Sequence, residues 1–462
     1  MRRGCLWQQK RFIEEPGDIL KVNLPAIQNI KIATFKIWPH SLTLFNMKKT
    51  FGYYTVISIL LLGCSKDVSS VSSSTTTTTT TSSSSTTYYY QSGSTVTQAS
   101  ETYYSTIADT GAVEVTGAGT YTLTNSKLWS SGSTTSTDSS SFYGLNACAL
   151  ATDGATLTLS NDSINTTGIS GNGVYSYGAS TVTLNTDTIN TTGSGGHAIY
   201  AAGGGTLTAT SVIAVTNGGS SSAIATDRGG GTITVSGGNY TTNGSISADV
   251  YSTGVISCSG AILTSNGAEA VVVEGSNSAT LTNCTTKCTF SKWGALIYQS
   301  VSGDASGTTG TLTITGGSFT YTGLVGGLFY NTNDSAYIYL NGVAITNSCD
   351  TLVRSLEGSW GQSTTATSPG NTYLICSGQT ISGIIYADAN SMVTLKLTSS
   401  SSYTGKVNPG DVAAAASVVM DASSTWVLTG NTYLTSLTDA VTSYSNITPS
   451  GYHLYVNGTQ VL

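Results

Sequence analysis

The chain has 462 residues, 53 of them Gly and 26 Tyr, with 9% charged residues and a formal net charge of −6. So few Lys and Arg cannot neutralise a run of phosphates, which excludes nucleic acid as a partner. Gly, Ser and Thr punctuate nearly every window, so no 3.6-residue apolar period persists and stacked α-helices are excluded as well.

Residues 1–46 hold seven of the 17 Lys and Arg and lack the Ser/Thr/Gly bias. They read as an upstream extension, with Met47 as the expected start. Lys48 and Lys49 then form a basic segment, and Phe51 to Leu62 an apolar one too short to span a bilayer. Residues 47–63 are therefore expected to be a secretory signal. With Leu61-Leu62-Gly63-Cys64 at its end, the stretch resembles the lipobox of bacterial lipoproteins, which implies lipidation at Cys64. Nine of the 17 Lys and Arg and three of the 23 Asp and Glu precede Cys64, so the exported part carries eight against twenty, net about −12. Residues 64–95 are expected to be a tether: from Ser69 to Thr87 every residue but Val71 is Ser or Thr, and such a run cannot bury apolar area.

Residues 96–400 repeat one short phrase. Gly119 is followed by Thr120-Tyr121-Thr122-Leu123, and later copies start at Thr156, Thr181, Thr206, Thr232, Val255, Thr280, Thr311, Tyr337, Tyr373 and Val393. The copies at Thr156, Thr181 and Thr206 are 25 residues apart. Alternation of apolar residues with Thr, Ser or Tyr is the signature of a strand with one buried face. A second strand precedes each phrase, with Val174, Ile199, Ile224, Val250, Val272, Ile297, Phe329, Val353 and Ile385 expected inward. A third follows, as in Ile164-Asn165-Thr166-Thr167 and Ile189-Asn190-Thr191-Thr192. Gly, Asn, Asp and Ser fill the corners, where positive φ or side-chain turns are needed. Three strands and three corners per repeat make one rung of a solenoid whose rungs share a core. The expected fold is all-β: a single-stranded right-handed parallel β-helix of about 10–12 rungs. Ser130 to Phe142 reads as an extended corner loop. Residues 401–462 are expected to hold the last rungs and a cap, ending in a hairpin around Asn457-Gly458.

The Gly, the Thr/aliphatic alternation and the late Ser-Ser-Thr-Trp-Val-Leu-Thr-Gly at 423–430 resemble right-handed parallel β-helix proteins of the pectin-lyase-like class. In texture the chain is most similar to bacterial adhesin-like surface proteins and autotransporter passenger regions. That resemblance implies an architecture, and for the enzymes of the class it implies action on polysaccharides through Asp residues on neighbouring rungs.

Candidate chemistry is sparse. Asp153, Asp227, Glu274, Asp334, Glu357 and Asp388 fall one per rung in the corner before the Thr strand, and turn chemistry explains them. Opposite charges meet at Asp227-Arg228 and at Arg354 with Glu357, while His197 and His453 stand alone. Weak Ca²⁺ binding at a corner stays open, although no local run supplies six oxygens; no other cofactor is implied. Cys148, Cys258, Cys284, Cys288, Cys349 and Cys376 lack zinc or redox spacing, and buried thiols are favoured over a Cys258–Cys284 bridge.

The most informative feature is a column. Alternation sends the residue after each inward one outward, giving Tyr175, Tyr200, Tyr251, Tyr298, Tyr330 and Tyr386, with Arg354, Ala225 and Val273 in the same column. Asp249, two before Tyr251, is expected on that outer side. Such a strip of open rings suits the apolar faces of sugars. Outward pairs such as Thr156/Thr158 and Thr181/Thr183 resemble the ice-binding face of some β-solenoid antifreeze proteins, a minor alternative. The expectation is an exported, lipid-anchored, non-catalytic surface protein of the adhesin-like kind. It would act as a monomer and bind a polysaccharide or a cell-surface glycan through the Tyr strip. The alternative is a polysaccharide lyase or glycoside hydrolase, marked by two or more carboxylates converging in one groove.

Overall fold

A computed structural model describes residues 87–290, 292–300, 303–359 and 367–462. The expectations for residues 1–46, for the signal at 47–63, for Cys64 and for most of the tether lie outside the described residues. Each turn up to Asn347 visits three parallel sheets in the same order. Sheet I stacks 15 strands from Tyr89–Ser92 to Ile447–Thr448, and sheet II stacks 14 from Thr95–Ala99 to Ser436–Asp439. Sheet III stacks 10, from Thr102–Ser105 to Ala344–Asn347. The protein is a parallel β-solenoid of about fourteen turns rather than ten to twelve.

The Thr phrases sit in register on sheet II, with Thr156, Thr181, Thr206 and Thr232 paired in succession. Between them Leu157, Val182, Leu207 and Ile233 fill the lumen with no exposed surface. Sheet I contributes Val174, Ile199, Ile224 and Val250, and sheet III contributes Ile164, Ile189, Ala214 and Tyr240. This shared core supplies the apolar burial that one rung alone lacks.

Two corners explain the small residues. Between sheets II and III a single residue takes the left-handed conformation, with φ of 58° at Asn161, 57° at Thr186 and 54° at Ser211. Short polar residues accept that geometry most readily after Gly. Between sheets III and I the backbones nearly touch: a Cβ on Gly193 would lie 1.8 Å from the Gly168 carbonyl oxygen. The adjacent Thr191 hydroxyl turns inward and donates to the Gly196 carbonyl (2.7 Å), and Thr166 makes the same bond to Gly171.

The ends are closed differently. At the first turns Tyr103 and Tyr121 both donate to the Gln98 side-chain oxygen, at 2.7 and 2.6 Å, and Tyr89 stacks on Tyr121. Sheet III stops at Ala344–Asn347, and later turns continue on two sheets with longer strands such as Asn371–Ser377 and Thr380–Ala387. The C-terminal hairpin forms as expected, Leu454–Val456 against Thr459–Gln460, with φ of 47° at Asn457 and 74° at Gly458. The stretch read as a loop before sheet I contains the one helix among the described residues, α1 (Thr137–Tyr143). Ser136 caps it by accepting from the Ser139 N–H, and Gly144 ends it in the left-handed conformation.

Asp249 corrects the sequence reading. It is fully buried at the corner position held by Ala198, Ala223 and Ala270 on nearby turns, so it faces the core and not the outside. Neither carboxyl oxygen reaches a partner at full hydrogen-bonding geometry. Burial pushes its pKa well above the usual carboxylate range, with Thr242 offsetting part of the effect. Asp249→Ala should therefore stabilise the protein by about 1–3 kcal/mol, read as a higher denaturation midpoint. A lower midpoint would show that the carboxyl is satisfied.

Candidate functional site on the outer face of sheet I

The outer column of sheet I runs Tyr175, Tyr200, Ala225, Tyr251, Val272, Leu296, Tyr330, Arg354, Tyr386. Two members differ from expectation. Val272 faces outward while Val271 and Val273 fill the lumen, because three consecutive valines carry no phase. Tyr298 also packs on the outer face, two residues beyond Leu296 and opposite Glu274 and Thr332.

The rings are outside the lumen but most are covered, which corrects the picture of an open strip. Tyr175, Tyr200, Tyr298 and Tyr330 are at most 6% exposed, and only Tyr251, Arg354 and Tyr386 are half-buried. The Tyr175 hydroxyl donates to the Ser141 carbonyl in α1, and its ring meets Tyr200 at 4.7 Å. His197 lies on Tyr200 at 4.4 Å, and Trp293 stacks on Tyr330 at 4.2 Å. Beyond them the Arg354 guanidinium sits 6.0 Å over the Tyr386 ring.

The corner carboxylates divide into two kinds. Asp153 accepts from the Thr116 hydroxyl (2.7 Å), Asp388 from the Glu357 N–H (2.7 Å) and Ser391 N–H (3.0 Å), and Glu357 from the Thr367 hydroxyl (3.0 Å). Asp334 accepts from the Ser335 N–H (2.7 Å), and burial pushes its pKa up to about 7. These four do turn chemistry.

Asp227 and Glu274 instead converge with Asp304, which was not among the sequence candidates. Arg228 draws Asp304 in through a 3.1 Å ion pair and also lies 3.8 Å over the Phe142 ring. Asp227 accepts from the Tyr200 hydroxyl and from the Arg228 N–H (2.7 Å). Burial, then the charge of Asp304, pushes its pKa up to about 8. Glu274 accepts from the Tyr251 hydroxyl on one oxygen and the Ser300 hydroxyl on the other, and burial raises its pKa as well. Asp227 is thus protonated at neutral pH, a form that suits a proton donor. Both Glu274 oxygens are capped by hydroxyl donors.

His197 accepts the Ser222 N–H at Nδ1 (2.9 Å), and burial lowers its pKa to about 4, so the ring is neutral. His453, on the C-terminal cap, meets the Gln460 side chain at 3.1 Å. The six cysteines Cys148, Cys258, Cys284, Cys288, Cys349 and Cys376 are buried free thiols, and Cys284 Sγ meets the Cys258 carbonyl at 3.4 Å rather than its sulfur. Among the described residues no group of three or more His, Cys, Asp or Glu is arranged to hold a metal ion. On sheet II the Thr-x-Thr pairs continue in register through six turns, from Thr95/Thr97 to Thr232/Thr234, before Val255 breaks the array.

The fold defines the class: a parallel β-solenoid with a covered aromatic strip on one outer face. Comparison with protein-family models, curated proteins and solved structures returns no match.

Proposed function

We propose that this is an exported, lipid-anchored surface protein of the adhesin-like kind that binds glycan without turning it over. The observation that carries the reading is the state of the outer face of sheet I. Its converging carboxylates are occupied by Tyr200, Tyr251 and Ser300 hydroxyls, while the pair Arg354 and Tyr386 keeps a half-open ring under a guanidinium. A ring of that kind offers a sugar an apolar face, worth about 0.5–1.5 kcal/mol by analogy with aromatic pairs. Such weak contacts gain strength when many copies share one surface. Arg354→Ala/Tyr386→Ala should weaken binding to an immobilised polysaccharide several-fold with an unchanged melting transition. Unaltered retention by the double variant would remove the strip from the reading.

The anchor is tested separately. Cys64→Ser should move the protein from the membrane fraction to the soluble one, since a covalent lipid supplies the attachment. A variant that stays with the membrane would contradict the lipoprotein reading.

One observation favours a second reading, a glycoside hydrolase or polysaccharide lyase. Asp227, Glu274 and Asp304 converge, and Asp227 holds a proton near neutral pH as a general acid must. Under that reading the protein releases sugar products and Asp227→Asn abolishes the release.

A further inference from the structure

A groove lies beside the carboxylate cluster, over the corner between sheets I and II. It is open to solvent and offers about 460 Å³, within the range of small-ligand sites. Gly231 and Gly254 form its floor, and neither tolerates a side chain. A Cβ on Gly254 would lie 2.4 Å from the Gly231 carbonyl oxygen, and one on Gly231 would lie 2.6 Å from that of Ala201. The corner glycines Gly229 and Gly230, at φ of 80° and 67°, form one wall.

The opposite wall is the limb that returns from sheet I, reaching the groove at Thr309. Three bonds pin this limb: Arg228 to Asp304 at 3.1 Å, the Ser276 N–H to the Ser306 carbonyl at 2.8 Å, and the Gln299 amide to the Gly307 carbonyl at 2.5 Å. The groove is thereby held open before any ligand arrives, which lowers the cost of binding.

Its lining is Gly, Thr, Ser, Asn and Val throughout, with no charged side chain. Thr232, Ser276, Asn277 and Thr309 bring hydroxyl and amide groups, and Val255, 48% exposed, brings an apolar surface. Hydroxyl-rich walls around one apolar face match the two kinds of surface on a sugar ring. No cation lines the groove to pair a carboxylate, so an acidic sugar would lose water there without gaining a partner.

We propose that this groove is a subsite for a short, uncharged oligosaccharide and discriminates against uronic acid chains. The proposal rests on the glycan-binding reading and adds to it a place and a charge class. Its test is calorimetric titration of the full-length protein with short neutral gluco-, xylo- and manno-oligosaccharides and with oligogalacturonides. The groove is filled by Thr232→Met/Val255→Met, two outward positions that leave the lumen untouched. The comparison variant is Thr120→Met/Thr122→Met, two outward positions of the same sheet four turns away.

The expected result is that at least one neutral oligosaccharide binds and that oligogalacturonides bind at least about tenfold more weakly. The groove-filled variant should lose about tenfold or more in affinity for the neutral ligand, while the comparison variant keeps it. Neutral binding that survives in the filled variant overturns the groove. If Arg354→Ala/Tyr386→Ala loses it and the filled variant does not, the groove falls and the glycan reading stands. Equal affinity for the charged chains overturns the charge selectivity. If the wild-type protein binds no sugar of either kind, the glycan reading falls and takes the groove with it.

Discussion

Raising the pH from about 6.5 to about 8.5 should lower the melting temperature by several degrees, because the folded state holds protons that the unfolded chain releases. Asp227 is pushed up to about 8, and Asp187 and Asp334 to about 7, each mainly by burial; burial raises Asp249 well above its ordinary value too. A carboxyl with a raised folded-state pKa contributes stability that is complete below its unfolded value of 3.8. That contribution fades as pH climbs through the folded value. His197 acts in the other direction: its pKa is lowered to about 4 from 6.5, so its contribution is complete above 6.5 and fades below. Above that point the carboxyls change, joined toward pH 8.5 by the buried cysteines whose pKa values burial also raises, and all of them weaken the fold as pH rises. Asp227→Asn should flatten the upper part of the curve, since the amide keeps no proton to lose. A melting temperature that rises across this interval would mean that these carboxyls are ionised in the folded protein.

Trp426→Ala should cost about 3–5 kcal/mol, the usual penalty for deleting a large buried ring. Trp426 has no exposed surface, lies 5.6 Å from the Tyr403 ring and donates from Nε1 to the Gly405 carbonyl at 3.1 Å. In a solenoid each turn touches only its neighbours, so the loss should stay local. The strands Ser402–Val407 and Thr425–Leu428 and the cap beyond them should exchange amide hydrogens faster, while the turns around Thr181 keep their protection. Uniform loosening of the whole chain would show that the turns melt as one unit.

Much of this architecture is legible in the sequence because one turn is written many times. The Thr156, Thr181, Thr206 and Thr232 strands repeat at nearly fixed spacing, and they pair in that register. Asn161 and Ser211 mark corners that take a positive φ, and Gly193 one where any Cβ would strike the neighbouring carbonyl. More turns form than expected because Thr95–Ala99, Ala415–Met420 and Ser436–Asp439, outside the plainly repeated phrases, also pair into sheet II.

The outer face was harder to read, since alternation assigns a side but not a cover. Nothing local in Thr137–Tyr143 says that this helix lies on Tyr175, because that contact spans 34 residues. Arg228 and Asp304 are 76 residues apart, so the carboxylate cluster has no motif to find. At Val271-Val272-Val273 the alternation itself disappears. The core of a solenoid is a local repeat, whereas its outer decoration is made by long-range contacts.

The central claim is that this solenoid holds glycan without cleaving it. Its most direct test is a glycan array probed with the purified protein, with reducing-end and unsaturated-product release measured on the same sugars. The account predicts retention on neutral glycans with no product over the incubation. Release of sugar products that stops in Asp227→Asn would contradict it and establish the enzyme reading in its place.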